Sequence, residues 1–586
     1  MRQWMVAAKK ADFYVIAEKF HVDPVVARII RNREVIGEKN IRIYLGGNLS
    51  DLSDPHQMKD MDRLVEILAQ KIRKQVHIRI IGDYDVDGVT SSHLFLTALR
   101  RVGAKVDVVI PHRIQDGYGL SLHLLQQAKE DGVDTILTCD NGIAAIDEIA
   151  WAKAQKMTVL VTDHHAVPFE EHEGRRTEKK SLADAVVNPH QQDCGYPYKE
   201  LCGAGVAWNV IRVLYENYDM DKREAEDLLD FVAMATVCDV MSLTGENRIL
   251  VKEGLKRIRH TKNIGLQALM QACNVQPENI SAYHFGYVLG PCVNATGRLD
   301  TARHALRLFE TGQETEAEEI ARDLVDLNQE RKELTLQGVE MAKKLCEEGG
   351  YENDPVLVLF LPDVHESIAG LIAGRIREMY NRPVFVLTRG EEGVKGSGRS
   401  TENYSMYENM CGCAELFTKF GGHPMAAGLS LPEENVEKFR RKINENCPLT
   451  VEEVCPDIHI DMAMSVGYAS TELVHQFALL EPFGKDNPSP LFADRNLSIS
   501  RMWLIGKNRN VLRMSVLSEY GQPVPVIFFG DVETLFAYFT EKFGQKEVEN
   551  ALHGRKNRIL FSMVYTAKID FYQGNENLQL EMKYYR

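Results

Sequence analysis

Through the first half of the chain, short runs rich in β-branched residues take turns with helical patterns. The runs Val76–Ile81, Val106–Ile110, Asp134–Thr138 and Thr158–Thr162 are strand-like, and apolar positions spaced by threes and fours separate them at about 89–101, 121–131 and 144–155. Parallel strands need a crossover connection, so this alternation predicts βαβ units around a parallel sheet. Residues 1 to about 70 mix helical signals with Asp51, Asp54-Pro55 and Asp60, and read as an N-terminal cap region that leads into a helix near 61–74. After a more helical stretch at about 205–308, residues 314–348 place Ile320, Leu324, Leu327, Leu334, Met341 and Leu345 on one stripe, with Arg331 and Gly338 in its remaining positions. Gly349-Gly350 closes this long helix. Its pattern suits a helix lying on one domain and a helix bridging two equally well. A second α/β unit follows, with a strand at Val356–Leu361, a helix at about 367–380, a strand at Val384–Leu387 and a glycine-rich passage near Gly396. From about Pro448 the chain reads as mostly β. The expected fold class is therefore α/β: a parallel-sheet domain (71–313) joined by a long helix (314–348) to a smaller α/β domain (349–447), with a β-rich domain at 448–586.

Composition narrows this picture. With 586 residues, about four domains are expected. Apolar residues at 44% and charged residues at 26% exclude fibrous and largely disordered classes. A net charge of −15, from 69 Lys+Arg against 84 Asp+Glu, argues against a globally basic nucleic-acid binder but leaves room for a local basic groove or for metal-binding carboxylates. The start of the chain lacks the apolar core of an export signal, and no run approaches 18 apolar residues, so a cytoplasmic protein with no membrane segment is expected. Eleven cysteines with no CxxC pair read as reduced thiols, mostly buried.

The chemistry gathers where the strands end. Val76–Ile81 runs into Gly82-Asp83-Tyr84-Asp85-Val86-Asp87-Gly88, Asp134–Thr138 into Cys139-Asp140-Asn141-Gly142, and Thr158–Thr162 into Asp163-His164-His165. The carboxyl ends of parallel strands share one edge, where ligands bind. Clustered carboxylates repel and raise one another's pKa unless cations counter them. Asp85, Asp87, Asp140 and Asp239 carry −4, which two divalent cations balance, and a neutral imidazole adds a nitrogen ligand. Oxygen donors with one histidine suit Mn²⁺ or Mg²⁺. The DxDxDG run is no EF-hand, because position 12 of such a loop is Leu94 rather than Glu.

These residues carry a family resemblance. GDYDVDGVTSS (82–92), DGYGLS (116–121), CDNGI (139–143), TDHH (162–165), VVNPH (186–190) and CGAGVAW (202–208) resemble the successive motifs of the DHH phosphoesterase superfamily, most closely its RecJ exonuclease branch. ATVCDVMSLTGENRILV (235–251), PCVNATGRLD (291–300), GSGRS (396–400), GGHPMAAGLS (421–430) and LEPFGKDNPSPLF (480–492) extend the likeness over nearly the whole chain, the last as the entry to an OB-like β-barrel. The resemblance implies that Asp85, Asp87, Asp140, His164 and Asp239 hold two divalent cations, Mn²⁺ or Mg²⁺, with Asp140 as the bridge. It also implies that His165 contacts the scissile phosphate, and that Asp163 orients His164. Some members of the superfamily carry a histidine ligand where this chain has Ile81, so Asp83 or water is left to supply one ligand.

Asn294 and Arg298, in a glycine-containing turn, are assigned by the resemblance to the nucleotide or to the integrity of the first domain. In the second domain, Gly396–Ser400 is expected to offer free backbone N–H groups together with Arg399 and Ser400, and Gly421-Gly422-His423 repeats the offer, which suits phosphate oxygens. Arg375 and Arg377 are further candidates for this groove, with solvated helix residues as the plainer reading. In the tail, Arg495, Arg501, Lys507, Arg509 and Arg513 surround Trp503 with no acid between Asp494 and Glu519. Such a surface follows and stacks single strands, although an ordinary solvated hairpin face has the same composition.

The activity implied is 5′-to-3′ hydrolysis of single-stranded DNA to mononucleotides in recombination and repair. The implied protein partners are a single-stranded-DNA-binding protein and a helicase, and a monomer is expected. Two rivals stand beside it: a phosphodiesterase of short oligonucleotides or cyclic dinucleotides, and a non-catalytic nucleic-acid-binding scaffold.

Overall fold

The computed structural model describes residues 3–586 apart from 114, 115, 118, 173, 174, 391, 392, 507, 508 and 573. Its described residues form two compact units, one of Leu52–Met241 with Ile249–Pro456, the other of Gln3–Asp51, Ser242–Arg248 and Asp457–Arg586.

In the first unit, five parallel strands lie in the order Val106–Val109, Ile78–Ile81, Thr135–Cys139, Thr158–Thr162, Ala185–Val187. Ile78–Ile81 is wholly buried, as a strand covered on both faces requires. The chain steps outward from this strand to one side and then returns to its other side. The reversal puts a crevice beyond the carboxyl ends of Ile78–Ile81 and Thr135–Cys139, the position at which open α/β sheets bind ligands. The Ala185–Val187 strand, at three residues, is too short to announce itself by periodicity.

The long helix spans Glu314–Glu348, about 52 Å at 1.5 Å per residue. Ala317, Ile320, Ala321 and Leu324 are buried in its first half, which packs on the helices Ile264–Ala272, Gly290–Leu299 and Arg303–Glu310. Val339, Ala342 and Cys346 belong to the core of the second α/β part, with Leu357, Leu359, Ile368 and Ile372. The helix therefore bridges. Its buried stripe drifts, so that Met341 is exposed and Ala342 takes the inward position. Gly338 allows close approach to the helix Glu366–Tyr380, since a Cβ there would lie 2.3 Å from Ile372 Cδ1.

The second sheet has the order Lys419–Gly422, Ala426–Leu431, Gly393–Arg399, Val384–Gly390, Leu357–Phe360. The glycine-rich passage is thus a central strand with partners on both edges, from Val384↔Arg399 on one side to Arg399↔Ala426 on the other. Its backbone N–H groups serve the sheet, and the expectation of free N–H donors is corrected accordingly. Gly396 and Gly398 face Leu387, Phe385 and Met406, which leave no room for side chains there.

In the second unit, the strands Phe492–Ile505, Val511–Leu517, Pro523–Phe528, Asn575–Tyr585 and Leu560–Tyr572 pair in that order, and the last pairs back with the first to close an OB-like barrel. The N-terminal helices Phe13–Phe20, Pro24–Asn32 and Glu38–Gly46 share the barrel's hydrophobic core. Arg33 pairs with Asp461 at 2.8 Å, and Trp4–Val6 pairs with Ile458–Ile460. The region read as one N-terminal cap is therefore divided, with Gln3–Asp51 in the barrel's unit and Leu52 onward in the other. Such contacts join residues more than 400 apart and leave no local pattern. All eleven cysteines are thiols: five buried, five half-buried and Cys411 exposed. Among the described residues, no helix is long and apolar enough to cross a membrane.

Candidate metal centre and facing cleft

The loop after Ile78–Ile81 turns sharply because Gly88 sits where a Cβ would meet Asp83 backbone atoms at 2.5 Å. Asp85 caps the helix Val86–Arg101, its Oδ1 accepting from Gly88 N at 3.0 Å. Asp87 points the other way, to the start of the helix Gly203–Asn217, and accepts from Gly203 N at 2.6 Å and Ala204 N at 2.7 Å. A helix N-terminus favours a carboxylate there. Asp140, at the end of Thr135–Cys139, holds φ at +61°, a left-handed conformation that costs a non-glycine residue and recurs at functional sites. Asp239 ends the helix Leu229–Cys238.

These elements bring the predicted ligands together. His164 Nε2 lies 3.1 Å from Asp140 Oδ1, 3.6 Å from Asp87 Oδ2 and 3.6 Å from Asp239 Oδ2. Two candidate cages result, one of Asp83, Asp85 and Asp140, the other of Asp87, His164 and Asp239, and a third group of Asp140, His164 and His165 links them. Asp83, ambiguous in the sequence, thus sits among the possible ligands, buried and accepting from Gly119 N at 3.3 Å.

The electrostatics show what the cluster lacks. Burial pushes Asp140 well above the usual carboxylate range, and Asp87, Asp85, Asp239 and Asp83 push it further. Burial and Asp85 raise Asp83 in the same way, and burial and Asp87 raise Asp85. Burial holds His164 below the ordinary imidazole value, which keeps it neutral as a metal ligand must be. Its buried Nε2 faces three carboxylates without a hydrogen bond. An oxygen-rich, anionic donor set around an imidazole nitrogen with no hydrogen-bond partner fits divalent cations of the Mn²⁺ or Mg²⁺ type.

Asp163 works on the other histidine. It accepts from His165 Nδ1 at 2.8 Å and from the backbone N–H groups of Ile143, His164 and His165. Burial alone would raise Asp163, but His165 holds it below the usual range. Burial opposes a charge on His165, yet Asp163 prevails and raises it to about 9. The expectation that Asp163 orients His164 is corrected. It is His165, with 40% of its side chain exposed, whose ring Asp163 anchors.

A cleft of about 450 Å³ opens between the two α/β parts of this unit, lined by Tyr84, Arg113, Gly117, Ser367, Lys395 and Ser397 among others. Arg298 stands on the helix Gly290–Leu299 rather than in a turn, and its Nη1 donates to Ser367 O at 2.5 Å. Asn294, on the same helix, accepts from Val86 N at 3.2 Å and so steadies the Asp85–Asp87 loop. Arg399 reaches Gly370 on the helix Glu366–Tyr380. Burial lowers Arg298 to about 10, with Arg113, Arg331 and Arg399 adding repulsion; burial also lowers Arg399, together with Arg113 and Arg377. Among the described residues no ion pair joins Arg113, Arg298 or Arg399 to a carboxylate.

Asn294, Arg298 and Arg399 do not themselves line the cleft, and neither do the remaining candidates. Ser400 is buried and donates its hydroxyl to Tyr404 O at 2.5 Å, so its side chain is already committed within the domain. His423 is exposed at the turn between Lys419–Gly422 and Ala426–Leu431. Arg375 and Arg377 pair with Glu378. Arg113 was not singled out from the sequence, although it lies just past the carboxyl end of Val106–Val109, where the sheet-edge rule that found the aspartates applies equally.

On the barrel, Arg501 and Arg513 flank Trp503 at 5.6 and 5.8 Å from its ring. Arg495 and Arg509 are exposed, and Lys507 lies outside the described residues.

Residues 77–236 match the DHH family, N-terminal domain; 353–447 the DHHA1 domain; and 460–584 the RecJ OB domain. The single-stranded-DNA-specific exonuclease RecJ of Bacillus subtilis is 33% identical over 511 residues, 86% of this chain and 63% of that protein. Its namesake in Haemophilus influenzae is 32% identical over 582 residues, 96% of each chain. Among solved structures, RecJ of Thermus thermophilus in complex with Mn²⁺ superposes with a TM-score of 0.80 at 25% identity, over all of this chain and 79% of that one. An exonuclease RecJ bound to manganese gives 0.56 at 32% identity, over 66% of this chain and 94% of the other.

Proposed function

The chain belongs to the RecJ family of single-stranded-DNA-specific exonucleases, and on that premise we propose that it hydrolyses single-stranded DNA to mononucleotides from the 5′ end, with two divalent cations, in recombination and repair. The observation that carries this reading is the pair of cages around Asp140 and His164, with a cleft lined by Arg113, Lys395 and Lys419 among others in the same unit.

Asp83, Asp85 and Asp140 would hold one cation, and Asp87, His164 and Asp239 the other, with Asp140 shared between them. The cations supply Lewis acidity at the scissile phosphate. Asp163 fixes the His165 ring through Nδ1, and the ring brings positive charge to a phosphate on which negative charge develops. Asn294 holds the Asp85–Asp87 loop in register. Arg113, Arg298 and Arg399 offer charge-assisted hydrogen bonds to the phosphates of a strand, and the 5′ polarity of the reading follows the family resemblance. On the barrel, Trp503 between Arg501 and Arg513 offers a ring face on which a base of a single strand stacks. His423 is an additional backbone contact.

We extend the reading to a cytoplasmic monomer that receives strands from a helicase and from a single-stranded-DNA-binding protein. The full set of carboxylates counts against a non-catalytic scaffold, and the barrel counts against an enzyme of dinucleotides. Digestion of strands labelled at either end, with and without Mn²⁺, tests the proposal. Release of labelled mononucleotide first from the 5′ end, abolished by chelation, is expected; release from the 3′ end, or an endonucleolytic ladder, would overturn it.

A further inference from the structure

Two exposed tyrosines stand on a turn that packs against the helix ending at Asp239. Tyr283 is 63% exposed and Tyr287 71%, and their rings stack with centroids 5.1 Å apart and planes 22° apart. They sit on the short helix Ala282–His284 and the π-helical turn Phe285–Leu289. A π-turn is rare and often marks a functional site.

This turn has a buried side and a bare one. Phe285 is fully buried, and its carbonyl accepts from Cys238 Sγ at 3.3 Å. Gly286 lies against Val237, and a Cβ on Gly290 would stand 2.3 Å from Cys238 Sγ. Cys238 is the last residue of the helix Leu229–Cys238, and Asp239 follows it directly. The turn that carries the stacked tyrosines therefore packs against the end of the helix that delivers Asp239. The turn continues directly into the helix that carries Asn294 and Arg298. Val240, 62% exposed with φ at +54°, adds a second apolar group at the end of the helix that delivers Asp239.

We propose that Tyr283 and Tyr287 form a stacking platform for a base of the single strand near the metal centre, which positions the strand for hydrolysis. This rests on the reading of the chain as a single-strand exonuclease. An exposed aromatic pair already stacked presents a ring face with little ordering left to do, and every base has a face to match it. The platform is therefore indifferent to sequence, as an exonuclease needs, and selects for unpaired bases, because a duplex keeps its faces covered.

Steady-state hydrolysis by the whole chain with Mn²⁺ tests this, comparing a 5′-phosphorylated 30-nucleotide strand with a 5′-phosphorylated strand of abasic sites of the same length, which has no ring to stack. For Y283A/Y287A, the KM for the strand is expected to rise about tenfold or more, in line with the cost of losing base stacking, with a smaller change in kcat. The ratio of kcat/KM for the strand to that for the abasic strand falls by the same factor, and Y283F/Y287F restores it. An unchanged ratio would overturn the platform, and so would a phenylalanine pair that fails to rescue, since the ring face is what the proposal uses. Failure of the unaltered chain to degrade the strand would instead strike the exonuclease reading itself, and with it the platform.

Discussion

Two clusters of like charge lie in the same compact unit, and burial works against both. Asp83, Asp85 and Asp140 are pushed upward toward protonation, while Arg298 and Arg399 are pushed downward toward loss of their proton. Each cluster needs the opposite charge from outside: cations for the first, a phosphate for the second. They differ in construction. The carboxylates hang on short side chains from strand ends and helix caps that the sheet fixes, so their geometry is set by the backbone. The guanidinium groups arrive on long stems from a loop, a helix and a strand. Short stems suit ions with strict coordination; long stems suit a phosphate that must enter and leave.

That contrast predicts unequal sensitivity to mutation. Asp140→Ala should reduce hydrolysis to background while strand binding, measured by fluorescence anisotropy, stays largely intact; full activity would break the metal assignment. His165→Ala should lower kcat by about 10²–10³, the typical cost of removing one donor to developing charge, and Asp163→Asn should follow in the same direction because it frees the ring. Arg399→Ala should act mainly on KM, by about tenfold or more for a charge-assisted hydrogen bond worth ~1.5–3 kcal/mol. A kcat loss as large as that of His165→Ala would show that the arginine cluster is as exacting as the metal centre. Asp140→Asn should raise the melting temperature in EDTA by about 2–4 °C per kcal/mol of repulsion relieved, and lose that advantage when Mn²⁺ is added. The smallest expected effect is that of Ser400→Ala on strand affinity, because its hydroxyl is spent on Tyr404.

How far the sequence could be read follows from the same physics. The strand ends carrying Asp85, Asp87, Asp140 and His164 were legible because a parallel sheet gathers its carboxyl ends on one edge, whatever their separation in the chain. Asp239 was legible only through the family pattern, since a residue ending an apolar helix has no signature of its own. Gly396 and Gly398 looked like a loop because glycine usually marks one. In the fold they leave space for Leu387 and Phe385 on a central strand. The partnership of Asp163 with His165 rather than His164 depends on which ring turns toward which oxygen, and no spacing encodes that. Residues 3–51 share a core with a barrel that begins more than 400 positions later. Arg113 was a failure of application, because the rule that found the aspartates also covers its position.

The most direct test of the central claim is anomalous diffraction at the manganese edge from crystals soaked in Mn²⁺. Two peaks are predicted, one within coordination distance of Asp83, Asp85 and Asp140, the other of Asp87, His164 and Asp239. A map without a peak at these side chains, or with a single ion bound elsewhere in the chain, would contradict it.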